Sequence, residues 1–276
     1  MRRSDWIAVV IVGAIVTVVG ALILTAPRAS NPTVATVVEE SATPTPHTPP
    51  TPTAGGGSAT ENMTVTHSSE VRVRLVESRN AAPARDIEEI RRHLMLGAPG
   101  TYIGDVLALQ DSQLVRWPDG TVLRVWIAPA TDATDWSAAY VDTVRSAFRA
   151  WDAANAPVRV DVVTDSASAN VHVRWTDRFP EGGAIGQTVQ TWDQYRWLVG
   201  GEITIATHAV SGYTLDAGWI RATALHEIGH LLGLNHSASP NDIMAAQAHA
   251  PDLSRADIAT MRLLYVLPPG TTRAGR

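Results

Sequence analysis

His226-Glu227-Ile228-Gly229-His230-Leu231-Leu232-Gly233-Leu234-Asn235-His236 has the pattern H-E-x-x-H-x-x-G-x-x-H. On a helix, His226 and His230 stand four residues apart, so both imidazoles project from one face toward one point. That spacing suits two ligands of a single zinc ion. Glu227 is turned about 100° round the helix from His226, where a carboxylate reaches a metal-bound water without itself being a ligand. Gly233 permits a left-handed turn that ends the helix. The chain can then swing back and bring in His236 as third ligand. A lone histidine is usually an ordinary surface or core residue, but five matched positions are harder to meet. With 9 His and 20 Gly in 276 residues, the full pattern arises by chance in roughly one chain in ten thousand.

The composition narrows the surroundings of this stretch. The net charge is −5 and the pI about 6.0, so no basic signature for nucleic acid is present. All 22 basic residues are Arg, a usage expected of a GC-rich genome such as a bacterial one. There is no Cys, so no disulfide staples the fold and no thiolate binds metal.

Upstream, Arg2 and Arg3 precede an apolar run over residues 6–26. As a helix those residues span about 31 Å, close to the ~30 Å hydrocarbon core of a bilayer. The run is longer than a signal-peptide core, and Pro27 follows Ala26, a poor cleavage context. An uncleaved transmembrane anchor is expected, with residues 1–5 cytoplasmic and the rest outside; cleavage would instead give a secreted protein. Residues 27–62 are Pro/Thr/Gly-rich and are expected to be a disordered linker, partly polyproline II, with Gly55-Gly56-Gly57-Ser58 as a flexible joint. Residues 63–112 contain an alternating Val71–Leu75 stretch and a helical pattern over 86–96. They are open between a pro-segment, an accessory element and an extension of the main domain.

From 113 to 268 the pattern is that of one α+β domain, with 269–276 as a tail. Strands are expected over 122–127, 158–163, 171–175, 184–190 and 202–206. A long packing helix over 135–155 carries Val141, Val144, Phe148 and Trp151 on one stripe. The motif helix runs from about 216 to 232, and a last helix over 254–265 opens with Ser254 and Asp257 in capping-box spacing.

Several of these features resemble one family. Asp242-Ile243-Met244 follows His236 where the metzincin metallopeptidases have their Met-turn. His236-Ser237, Ala147-Phe148-Arg149-Ala150-Trp151 and Leu253-Ser254-Arg255-Ala256-Asp257-Ile258 through Leu264-Tyr265 are similar to matrixin motifs. The resemblance covers about residues 113–267. It implies a metzincin-like fold with a mixed, mostly parallel twisted sheet, an active-site helix and a C-terminal helix. It also implies a structural role for Met244 and an extended substrate pairing with the backbone of an edge strand that includes Ile185 and Gly186. Structural calcium is compatible with it, without assignable ligands.

The chain departs from the family pattern in three places. Without Cys, latency by a thiolate on zinc is excluded. The segments matching the family's structural-zinc strands place Gln187 and Ile203 or Thr204 near the ligand positions, so no second zinc is expected; His172 and His208 are read as structural or surface residues. Met244 is followed by Ala245-Ala246 rather than an aromatic-Pro pair.

The expected chemistry is peptide-bond hydrolysis at one catalytic zinc held by His226, His230 and His236, with Glu227 as general base. The protein is expected to be a membrane-tethered, extracytoplasmic, monomeric endopeptidase acting on protein or peptide substrates. Two other readings stay open: a non-catalytic, zinc-stabilised binding or adhesion module, and a zinc amidase acting on cell-wall peptides.

Overall fold

Alternation of apolar and polar residues sets the sheet. The computed structural model describes residues 72–180, 183–247 and 250–272. In β3 (Val122–Ile127), Leu123, Val125 and Ile127 are buried while Arg124 is exposed. In β5 (Val171–Thr176), Val171, Val173 and Trp175 are buried. This period of two is what a strand with one covered face requires. With β1 (Arg72–Val76), β4 (Arg159–Val163), β6 (Gly186–Asp193) and β7 (Leu198–Ala206), these strands form a six-stranded sheet in the order β1-β6-β7-β5-β3-β4. Every pairing is parallel except β6 with β7. The sheet is therefore mixed and mostly parallel, as expected.

α3 (Ala139–Ala153) buries Val141, Val144, Ala147, Phe148 and Trp151, so the apolar stripe read from the sequence is its core face. It starts four residues later than expected, because Asp135 has a left-handed backbone (φ 56°) that no helix accepts. α3 and α4 (Ala217–Leu231) pack on each other, and α4 lies on β6 and β7. Every residue of α4 from Thr223 to Leu231 is buried, so the motif helix is a core element. α5 (Arg255–Tyr265) has the capping box that its sequence suggested: Ser254 Oγ accepts from Asp257 N, and the Asp257 carboxylate accepts from Ser254 N.

Three elements lie between β1 and β3. α1 (Ile87–Gly97) is capped by Asp86, as the helical pattern suggested. α2 (Ile103–Leu109) had no sequence signal beyond a short apolar stretch, yet Ile103 and Val106 are buried in the same core as the motif helix. β2 (Gln113–Leu114) pairs with β8 (Gly270–Thr271).

β1 changes one expectation about the edge strand. All five of its residues are exposed rather than alternating, and it pairs with β6 from Val189 to Asp193. β6 is therefore not an edge strand along its whole length. Among the described residues, only Gly186–Thr188 lacks a strand on the side away from β7. The anticipated membrane helix at 6–26, the linker at 27–62, residues 63–71 and the end of the tail lie outside the described residues. Among the described residues no helix is long and apolar enough to cross a membrane.

Candidate metal centre and its carboxylate

α4 opens at Asp216, whose side chain accepts the Trp219 N–H at 2.9 Å. Its other end is closed by two backbone bonds, Gly233 N–H to His230 O at 2.9 Å and Leu234 N–H to Gly229 O at 3.0 Å, with Gly233 at φ 101°. This is the Schellman arrangement, and it needs the left-handed residue. Space demands glycine as well, since a Cβ at Gly233 would stand 2.2 Å from the carbonyl oxygen of Val115. Other carbonyls of the helix are taken by side chains. Trp151 Nε1 donates to Leu225 O at 3.0 Å, Trp117 Nε1 to Leu231 O at 2.8 Å, and Tyr265 Oη to Leu232 O at 3.1 Å.

The turn delivers His236 to the same point as the two helical histidines. The ligand nitrogens of His226, His230 and His236 all lie within 4.8 Å of one another. His226 Nδ1 lies 2.7 Å from the Ile243 carbonyl oxygen, and His230 Nδ1 3.0 Å from that of Leu234. A carbonyl only accepts, so each Nδ1 carries a proton, and in the neutral ring it is Nε2 that offers a lone pair. Burial lowers the pKa of His236, which keeps that imidazole neutral too. Its Nε2 is buried with no hydrogen-bond partner among the described residues. A buried lone pair of this kind is unfavourable unless something accepts it. Three converging imidazoles fit a zinc ion.

Met244 is fully buried beneath this cluster. A Cβ on Gly229 would come within 2.2 Å of its Sδ, so the thioether lies directly against the motif helix. The turn is held by Ser237 N–H on Met244 O at 2.9 Å, and by the Asp257 carboxylate, which accepts from Ile243 N at 2.9 Å and Met244 N at 3.4 Å.

Glu227 is fully buried, and its carboxylate faces β6. Thr188 Oγ1 lies 2.7 Å from its Oε2. Burial raises the Glu227 pKa to about 8, with the Thr188 hydrogen bond opposing the rise. The structure thus brings His226, Glu227, His230, His236, Gly233 and Met244 into one centre. Gly186 adjoins it, since a Cβ there would meet Glu227 Oε1 at 2.4 Å. Ile185 is placed differently. Its carbonyl accepts the Ala206 N–H at 2.9 Å and so faces β7. Strand alternation turns the backbone groups of Gly186 and Thr188 outward instead. Thr188 and Asp257 were not singled out as site residues from the sequence. Only the capping-box spacing of Asp257 was visible there.

The family model for the matrixin peptidases (Peptidase M10) matches residues 116–266, more than half of the chain. The chain belongs to the matrixin family. No curated protein matches it. In this matrixin, Gln187 and Thr204 are register partners on β6 and β7. His172 Nε2 lies 3.0 Å from Ser166 O, and His208 Nε2 lies 3.1 Å from Asp135 Oδ2. Among the described residues, the metal-binding geometry gathers at the three motif histidines.

Proposed function

We propose that this matrixin is a zinc-dependent endopeptidase acting outside the cytoplasm. One observation carries the reading: three imidazole lone pairs converge beside a buried glutamate that is the neighbour, not a member, of the ligand set. A purely structural site has no use for a carboxylate there. A zinc ion held by His226, His230 and His236 would supply Lewis acidity to the scissile carbonyl and to water. Glu227 takes the proton from the attacking water and returns it to the leaving amine. A raised pKa keeps such a base close to the working pH, so that it can both accept and release the proton. The outward N–H and C=O groups of Gly186 and Thr188 offer a substrate the start of a β-ladder, and β1 ends that ladder at Val189.

The location rests on sequence alone. The apolar run at 6–26 behind two arginines supports an anchor, and the Pro/Thr-rich 27–62 a stalk. The test uses the purified full-length chain, zinc-loaded, with a random peptide library, with and without a chelator. Internal cleavage that stops with chelation and returns with zinc supports the proposal. Stoichiometric zinc with no cleavage would leave the binding-module reading, and cleavage confined to cell-wall peptides would leave the amidase one.

A further inference from the structure

We propose that Thr188 and Gly186 are positioning residues that set the orientation of the Glu227 carboxylate from strand β6. The inference rests on the peptidase reading above and names what makes its general base effective.

Thr188 and Glu227 are 39 residues apart in sequence and meet in the core, at 2 % and 0 % exposure. Along β6 the even-numbered side chains point at α4. Gly186 lies against Glu227, Thr188 bonds it, and Gln190 Nε2 donates to His230 O. The period of two in the strand therefore delivers three consecutive contacts to the motif helix. Thr188 Oγ1 is 2.7 Å from Glu227 Oε2 and 3.0 Å from the Glu227 carbonyl oxygen. A hydroxyl has one proton and two lone pairs. Towards a carboxylate, Thr188 donates. Towards a carboxylic acid, it accepts the acid proton and turns its own to the Glu227 carbonyl. Oε2 is thus held whether the base has its proton or not.

Gly186 supplies the room. A Cβ at this position would lie 2.4 Å from Glu227 Oε1, 2.8 Å from its Cγ and 2.6 Å from Thr223 Cγ2. Such distances are shorter than real contacts, so any larger residue displaces the carboxylate. One strand therefore fixes both oxygens: a hydroxyl grips Oε2, and a missing side chain accommodates Oε1.

The test is Thr188→Val, which keeps the volume and β-branching and removes the hydroxyl, with Thr188→Ser as the rescue. In the zinc-loaded full-length protein, Thr188→Val should lower kcat by about 10- to 100-fold, the range for losing a hydrogen bond to a charged group. KM and zinc stoichiometry should be unchanged, and Thr188→Ser should return kcat to within about threefold of the wild type. Gly186→Ala should lower kcat with zinc retained. A second readout needs no turnover. In metal-free protein carrying 13C at the glutamate side-chain carboxyls, Thr188→Val should move one resonance, assigned to Glu227 by its absence in Glu227→Gln. Thr188→Ser should leave it in place. Wild-type kcat in Thr188→Val, a loss that Ser fails to rescue, an effect confined to KM, or loss of zinc would each overturn the proposal. If Thr188→Val does not fold, Thr188→Ala takes its place with the same expected outcomes. An inactive wild type would mark failure of the peptidase reading. A shifted resonance would then leave Thr188 a structural partner, and the positioning role would fall with the activity.

Discussion

The Tyr102 hydroxyl donates to Asp257 Oδ1 at 3.0 Å, joining a residue ahead of the matched family segment to the carboxylate that holds the Met244 turn. Burial, and then the Asp257 carboxylate, push the Tyr102 phenol well above its ordinary pKa, so the bond keeps its proton across the working range. Thr260 Oγ1 accepts the Tyr102 N–H at 3.0 Å, fixing the same residue a second time. Tyr102→Phe should lower stability by about 1.5–3 kcal/mol, the range for hydrogen bonds to charged groups. Asp257→Ala should cost more, because the N–H groups of Ile243, Met244 and Ser254 all lose their acceptor. Chemical denaturation of the zinc-loaded proteins checks the order. A Tyr102→Phe protein as stable as the wild type would remove this link.

His236 is brought to the site only by the turn at Gly233. His236→Ala should weaken zinc binding by more than about 100-fold, beyond the 10–100-fold typical of losing a supporting partner. Competition with a chromophoric chelator measures it. Unchanged affinity would mean that the third ligand is another group.

Gly233→Ala tests the turn itself. The residue has φ 101°, and its Cβ would stand 2.2 Å from Val115 O. A non-glycine residue forced into such a conformation costs on the order of 1–3 kcal/mol, and the clash adds to that. Denaturation should show the loss, and the chelator assay a parallel fall in affinity. An affinity that survives full destabilisation would uncouple the cap from the ligand.

Glu227 makes its own contribution to the pH dependence of the metal-free protein. Its folded pKa of about 8 lies above the ordinary 4.5, so the folded state binds the extra proton between those values. This contribution to stability is fully present below pH 4.5 and is lost as pH rises through 8. Glu227→Gln cannot ionise. The metal-free variant should therefore gain on the wild type between pH 5 and 8.5, at up to about 1.4 kcal/mol per pH unit. Urea melts at both ends of the range measure the difference. Parallel curves would show that Glu227 is ionised throughout.

Acid should release the metal. The ligand imidazoles must be neutral to bind, and protonation competes with zinc. Burial lowers the His236 pKa, so that ligand resists protonation to below the ordinary 6.5. Zinc occupancy followed by dialysis should hold at pH 6.5 and fall at lower pH. Constant occupancy down to pH 4 would contradict the three-histidine site.

Much of the centre was legible because its signals are local. His226, Glu227 and His230 share two turns of one helix, Gly233 terminates it, and Ser254 with Asp257 caps the next. Each is a relation between residues a few positions apart. Thr188 left no such trace. Its hydroxyl acquires meaning only when β6 is laid against α4, and a threonine in a strand is otherwise a common β-former. The second task of Asp257, accepting from the Met244 turn, was hidden for the same reason. Tyr102 and α2 were missed because a seven-residue helix is too short to show a period. β1 was found as a strand, but which strand it joins depends on parallel pairing across more than 100 residues.

β1 also decides how much backbone the cleft presents. All its side chains are exposed, so the backbone ladder to Val189–Asp193 is its main attachment. The chain just past it is tied to the end of the same strand, where Ser78 Oγ and Asn80 Nδ2 both donate to Asp193 Oδ2. With β1 in place three residues of β6, Gly186–Thr188, have no strand on that side among the described residues. Were β1 displaced, all eight, Gly186–Asp193, would be open to a partner strand. Faster amide exchange at the β1 partners than in β5 would report such displacement, and equal exchange would show β1 to be a fixed part of the sheet.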